Sequence, residues 1–174
     1  ARWALRCNPS SGNLHPTDGY VLLGAGTVAG LAPGLHHYLS RDHLLERRGV
    51  PDEATALRLA AAAGPGGFLV GFSSVVWREA WKYGERAWRY CQHDVGHALG
   101  ALRFAAAALG WRARRLDAVG DADLAALLGL NVGVPPDAPV APDPEYADAL
   151  VWIDTRPRGD EAGAAPAPLP PALS

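Results

Sequence analysis

The stretch PSSGNLHPTDGYVLL, residues 9–23, decides the fold of this chain. Small polar residues, two prolines and two glycines stand directly before the apolar run 20–23, which predicts a loop at the mouth of a strand. Two hydroxyls, an amide and backbone N–H groups, with Gly12 permitting close approach, suit the polar edge of a heterocycle or a phosphate. The same residue types also form helix caps and turns, so both interpretations stay open.

The bulk composition fits one globular domain with a core. The chain has 174 residues, 49% hydrophobic and 20% charged. Its net charge of −2 and pI near 6.3 give no electrostatic case for nucleic acid or an anionic membrane as partner. No apolar run is long enough to cross a bilayer, and no signal peptide is visible. Cys7 and Cys91 have no disulfide or metal spacing, which indicates free thiols and a cytoplasmic location.

The ends of the chain suggest a piece of a longer protein. No methionine is present, and the loop motif follows almost at once on Ala1, so we expect the N-terminus to be incomplete. Residues 1–156 are expected to form the domain. Residues 157–174 consist mostly of Gly, Ala and Pro, which predicts a disordered tail or a linker.

Periodicity and turn residues predict an α+β domain in three layers with mixed strand pairing. Strands are expected at 19–24, 35–38, 43–47, 68–72, 114–116 and 149–153. Helices are expected to about 63 after an Asp52 cap, over 88–109, and to 128 after an Asp121 cap. The apolar positions of the long helix lie three and four residues apart on one face: Trp88, Cys91, Val95, Leu99, Leu102, Ala106 and Leu109.

The segment WREAWKYGERAWRY, residues 77–90, combines an aromatic band with the single lysine among sixteen basic residues. A buried lysine has a lowered pKa and exchanges protons near neutrality, and the neighbouring Tyr83 can donate a hydrogen bond or a proton to the same pocket as Lys82. The alternative is a solvated charged face, in which the acids pair with the arginines. Its members would be Glu79, Glu85, Arg78, Arg86 and Arg89.

His93 and His97 lie four residues apart and so share one helix face. At this spacing both could bind a metal ion, as two histidines do in zinc hydrolases. The usual third ligand is not evident, and no glutamate lies between the two histidines. A hydrogen-bonded pair that lines a pocket or an interface is therefore the favoured interpretation, and we expect no metal.

Two stretches of the chain resemble one known family. Residues 9–23 resemble the flavin-contacting segment of the nitroreductase superfamily, a Pro-Ser-Ser-x-Asn loop followed by a polar residue, proline and a strand. Residues 78–111, REAWKYGERAWRYCQHDVGHALGALRFAAAALGW, resemble the SagB/ThcOx and McbC branch, whose azoline dehydrogenases use FMN to oxidise thiazolines and oxazolines in peptides. The resemblance covers about 9–153. It implies a nitroreductase-like three-layer fold, with a central mixed or antiparallel sheet flanked by helices.

The resemblance also implies a cofactor, FMN, and a role for individual residues. Lys82 and Tyr83 match the pair to which azoline dehydrogenases assign proton removal. A base needs a neutral, tunable amine, which arginine cannot supply, and this would explain the single lysine. The cofactor-binding positions implied are Pro9, Ser10, Ser11, Gly12, Asn13 and His15 in the loop, Leu116, Asp117 and Ala118 near flavin N5, and Arg156 and Arg158 at the phosphate.

The chain departs from the family pattern in ways that limit the site. It begins too late for the Arg-rich segment that binds the phosphate, and 117–118 lacks the usual glycine. The family builds each FMN site across a homodimer or across two tandem halves of one chain, so a lone chain would hold half a site.

The function implied is an FMN-dependent oxidoreductase acting on an azoline in a modified peptide, or on a small electron-poor compound with NAD(P)H as donor. The alternative is a degenerate, non-catalytic half-domain that serves as an interaction or scaffold subunit.

Overall fold

A computed structural model of the chain describes residues 6–50, 52–130 and 144–156. Six strands and four helices lie in these ranges, with short 3-10 turns at Ser11–Asn13 and Gly84–Arg86. Their order is β1 (Thr17–Leu23), β2 (Gly34–Leu39), β3 (Leu44–Gly49), α1 (Glu53–Ala63), β4 (Gly67–Val75), α2 (Trp77–Tyr83), α3 (Ala87–Ala108), β5 (Arg112–Arg115), α4 (Asp121–Leu127) and β6 (Glu145–Asp154). The expected tail, 157–174, lies outside the described residues.

The strands form one antiparallel sheet in the order β3-β2-β1-β4-β6-β5. β4 lies inside the sheet and is buried almost throughout, because its residues are apolar or small on both faces. Tyr20 of β1 and Leu150 of β6 stand opposite Gly71 of β4. The sheet expected as mixed or antiparallel is thus antiparallel in the described strands.

Helices pack on both faces of the sheet, which confirms the three layers. The face covered by α1 and α4 has a core that includes Leu59, Leu69, Leu124, Leu128 and Trp152. The face covered by α3 has a core that includes Val70, Phe72, Val95, Ala98 and Val151. Alternation along β4 therefore sends its side chains into two separate cores.

The helix starts test two cap predictions. Asp52 caps α1, since its Oδ1 accepts a hydrogen bond of 2.7 Å from the backbone N–H of Thr55. The prediction that Asp121 caps α4 is wrong. Gly120 takes the cap position, and Asp121 is the first helical residue. Its negative charge there interacts favourably with the positive end of the helix dipole.

The long helix α3 has 22 residues and buries most of the predicted apolar face. Cys91 and Val95 are buried, whereas Trp88 and Leu109 at its ends are 51% and 61% exposed. Asp94 is buried on this side of the helix, which the apolar pattern did not predict. Among the described helices, α3 included, none is both long and apolar enough to span a bilayer.

Candidate functional site

The loop before β1 is built around Ser10. The backbone N–H of Asn13 donates to the Ser10 carbonyl at 3.0 Å, and the N–H of His15 donates to the Ser10 hydroxyl at 2.9 Å. Gly12, Asn13 and His15 have φ values of 64°, 59° and 50°. Left-handed backbone costs about 1–2 kcal/mol per non-glycine residue, so the surrounding structure must hold this shape in place.

Helix α2 and strand β4 anchor the loop. Arg78 of α2 donates to the carbonyl of His15 at 3.1 Å and pairs with Asp18 at 2.9 Å. The carbonyl of the buried Pro16 accepts a hydrogen bond of 2.9 Å from Val75 N–H at the end of β4. The loop is therefore fixed at the end of the sheet where β1 begins and β4 ends.

The side chains of Lys82 and Tyr83 lie directly against this loop. A Cβ atom added at Gly12 would lie 2.6 Å from Lys82 Nζ and 2.7 Å from Tyr83 Oη. Consecutive residues of a helix point about 100° apart, but Tyr83 is the last residue of α2. At this helix end the side chains of Lys82 and Tyr83 both reach Gly12. The structure thus brings together the two segments that the sequence singled out.

The two side chains differ in their surroundings. Lys82 is exposed, contrary to the expectation of a buried amine, and its Nζ lies 5.4 Å from the centre of the Tyr83 ring. Tyr83 is half-buried, and its ring meets that of Tyr90 edge-on with centroids 4.6 Å apart. Tyr83 is therefore the better fixed of the pair, while Lys82 keeps access to water.

Glu79 and Asp94 are site residues that the sequence did not reveal. The solvated-face interpretation is wrong for Glu79, which is fully buried, and Arg78 pairs with Asp18 instead. Both carboxylate oxygens of Glu79, and Oδ1 of Asp94, lack a hydrogen-bond partner in the described part of the chain. Burial, followed by the Asp94 carboxylate, raises the pKa of Glu79, while Lys82 and Ser10 act in the opposite direction.

A cavity of about 280 Å³ lies beside the loop, between it and α3. Pro9, His15, Phe72, Asp94 and Ala98 are among the residues that line it. Burial, and then the Arg6 guanidinium, lower the pKa of His15, so its ring is neutral near pH 7 and its Nε2–H donates to Asn13 Oδ1 at 2.8 Å. The volume lies just below the range of about 300–1,000 Å³ found for small-molecule sites, which suits part of a cofactor.

The expected N5 segment lies elsewhere in the fold. Leu116 packs into the core on the α1/α4 face, and its N–H donates to Leu150 at 2.9 Å. Asp117 and Ala118 are exposed, and Asp117 pairs with Arg115 at 2.5 Å. The cavity lies on the α3 face, so the described residues do not bring this segment to the loop.

The expected phosphate cations are also distant from the loop. Arg156 follows β6 at the opposite end of the sheet, and its guanidinium binds Asp154 at 2.9 Å. The nine residues of β4 separate the two ends by about 26 Å. Arg158 lies outside the described residues. His93 and His97 are exposed, and the described residues contain no group of three or more metal-ligating side chains.

Solved structures of other proteins share the fold of this chain. No family model matches the chain, and no curated protein does. A nitroreductase-like protein from Anabaena variabilis matches 87% of the chain with a TM-score of 0.66 and 27% identity. The chain has a nitroreductase-like fold.

Two further structures share the nitroreductase-like fold. A chain of the E. coli microcin synthetase McbBCD complex, which has truncated pro-MccB17 bound, matches 86% of this chain with a TM-score of 0.67 and 15% identity. A nitroreductase-like protein from Ralstonia eutropha matches 86% with a TM-score of 0.60 and 18% identity. The chain spans 30%, 55% and 62% of the three proteins, in the order given.

Proposed function

We propose that the chain is the flavin-binding part of an FMN-dependent oxidoreductase of the SagB/ThcOx and McbC type. The observation that carries this proposal is the contact of Gly12 with Lys82 and Tyr83. The two segments are far apart in sequence; the first resembles the flavin-contacting segment of the nitroreductase superfamily, and the second resembles the SagB/ThcOx and McbC branch. If the loop were only a turn and residues 77–90 only a solvated helix face, the contact between them would have no function. A cofactor-binding loop and a catalytic base must lie close together.

The residues at the loop fit the ring end of FMN. Gly12 lets a flat ligand approach the backbone. The hydrogen bond from His15 fixes the orientation of the Asn13 amide, which supports binding of a heterocycle edge. The phosphate end has less support, because Arg156 lies at the far end of the sheet. We infer that a second copy, or a tandem half, supplies the phosphate cations.

The chemistry of the site would then divide between cofactor and protein. Bound FMN would accept or deliver the hydride, and the protein would supply binding, orientation and proton transfer. Lys82 lies against the loop and would take a proton from the substrate carbon once bound cofactor and substrate cover its amine, since burial favours the neutral form. Tyr83, held against Tyr90, is placed to donate a hydrogen bond to the substrate beside the amine.

The substrate we propose is an azoline in a modified peptide. The E. coli complex with the same fold holds a peptide, truncated pro-MccB17, which supports a peptide substrate. A small electron-poor compound, reduced with NAD(P)H as donor, is the second candidate. The free thiols of Cys7 and Cys91 support a reducing compartment, and we propose the cytoplasm.

The test of cofactor binding is a visible absorption spectrum of the purified protein, followed by mass spectrometry of any released chromophore. We expect a yellow protein that releases FMN. A protein that stays colourless after added FMN would contradict the proposal and favour the scaffold alternative.

The test of the base is Lys82→Met, with Arg86→Met as the matched control. Both replace an exposed cation of the same segment by an uncharged side chain of similar length. We expect Lys82→Met to keep FMN and to lose roughly 10²–10⁴-fold in turnover, the range for a lost general base. Arg86→Met is expected to turn over normally. Equal turnover by the two variants would remove the base role from Lys82.

A further inference from the structure

Glu79 shares one face of α2 with the proposed catalytic pair. It precedes Lys82 and Tyr83 by three and four residues, the spacing at which helical side chains are neighbours. Glu79 is nevertheless fully buried, and within the described residues neither of its oxygens has a hydrogen-bond partner. An ionised carboxylate in this setting is costly, whereas a neutral acid is much less so.

The groups around Glu79 oppose ionisation on balance. From α3 the facing groups are the buried Asp94 and the Cys91 thiol. Burial, followed by the nearby Glu79, raises the pKa of Cys91 to about 11. From its own helix the facing group is Lys82, whose exposed amine is screened by water. From the loop it is the Ser10 hydroxyl, which like Lys82 lowers the pKa of Glu79 and is outweighed by burial and Asp94. The Asp94 carboxylate therefore acts together with burial to favour the neutral acid at Glu79.

We propose that Glu79 is a positioning residue, a neutral carboxylic acid in the folded chain that holds Ser10 and the loop against α2. A neutral acid both donates and accepts, so it can pair with the Ser10 hydroxyl as either partner. Ser10 in turn accepts from the N–H of His15. The proton on Glu79 is thereby linked to the loop that presents Gly12 to Lys82. The effect on flavin rests on the proposed function, but the protonation does not.

Stability as a function of pH tests the protonation. The folded pKa of Glu79 is raised above its ordinary 4.5, so its contribution to stability is full below that pH and is lost as pH rises through the folded pKa. Glu79→Gln keeps the shape and the donor without a titration. We expect the unfolding midpoint of Glu79→Gln to rise relative to that of the wild type as pH increases. Glu85→Gln, which changes an exposed acid in the same segment, should follow the wild type.

Two results would overturn the proposal. One is a Glu79→Gln protein whose pH profile of stability matches that of the wild type. The other is direct: infrared spectra of the folded wild type at neutral pH should contain a carboxylic-acid C=O band that Glu79→Gln lacks. Absence of that band means that Glu79 is ionised, and this measurement needs no interpretable stability data from the variant.

FMN affinity measured against pH tests the positioning role. We expect the wild type to lose affinity as pH rises and Glu79→Gln to keep it. Equal profiles would mean that the proton does not act on the loop. If no FMN binds at any pH, the proposed function fails, while the stability and infrared results still decide the state of Glu79.

Discussion

Gly12 is where the loop meets α2, and its missing side chain is what allows the contact. The sequence predicted that this glycine lets a ligand approach, and the structure shows that Lys82 and Tyr83 also need the space. Gly26 is a natural control, because its φ of +72 resembles the +64 of Gly12 but its Cβ would meet nothing within 4 Å. A comparison of the two positions separates backbone strain from the contact with Lys82 and Tyr83.

We expect Gly12→Ala and Gly26→Ala to lose similar stability, about 1–2 kcal/mol each from left-handed backbone, as measured by denaturant unfolding. Only Gly12→Ala should alter the site, because Lys82 and Tyr83 must move away from the added methyl group. Lys82 is the single lysine of the chain, so its rate of acylation, mapped by mass spectrometry, reports on its surroundings. The same rate in both variants would show that the contact is unimportant.

The sequence alone identified Lys82 as a candidate site residue but not Glu79, and the difference has a physical reason. Lys82 was identifiable because arginine takes every other basic position. Glu79 was not, because alternating acids and arginines are typical of a solvated helix face, and its burial arises only when the loop and α3 close over it. Propensity and charge pattern describe a segment alone, whereas burial is a property of the tertiary fold.

Strand β6 ends in a buried carboxylate that joins it to its neighbours. Asp154 is fully buried and accepts hydrogen bonds from Arg112 of the edge strand β5, the shortest at 2.6 Å, and from Arg156. The Arg156 hydrogen bond, outweighing the effect of burial, lowers the pKa of Asp154 to about 2. Arg156, expected at a phosphate, thus has a structural partner in this chain.

We expect Asp154→Asn to destabilise the chain by roughly 1–3 kcal/mol at pH 7, since charged hydrogen bonds are lost in a buried place. Asp117→Asn, which removes an exposed pair with Arg115, should cost about 0.5 kcal/mol or less. Because the folded pKa of Asp154 is lowered, its contribution is present above pH 3.8 and is lost as pH falls toward 2. Urea unfolding at several pH values checks this, and a constant difference down to pH 2 would contradict it.

Most elements were predictable because glycine, proline and Asp52 mark their ends. All six strands overlap the expected ranges, and α1 has its expected cap. The separation of α2 from α3 was harder to predict, since it depends on Gly84 taking a φ of +54° inside a continuous helical pattern. Strand order and register were not predictable, because they depend on contacts between distant segments rather than on local pattern.

Aromatic side chains are exposed on the outer surface of helices α2 and α3. Phe104 is 81% exposed on α3, and Cβ atoms built at Gly100 and Gly96, one and two turns before it, would meet nothing within 4 Å. Trp77 and Trp81 of α2 are also exposed. The chain spans 30–62% of its structural neighbours, and we propose that a second copy, or a tandem half, covers this surface.

We expect the chain to form a homodimer through α3, with a mass by light scattering twice that of the monomer. Phe104→Glu should give a folded monomer, because the side chain is exposed within one chain, and its unfolding midpoint should no longer depend on protein concentration. Leu57→Glu, an equally drastic change at an exposed position of α1, should remain dimeric. If the second copy supplies the phosphate cations, Phe104→Glu must lose FMN along with the dimer, while Leu57→Glu keeps both. A wild type that is monomeric at all concentrations and yet binds FMN would mean that one chain, including residues such as Arg158, supplies the whole site.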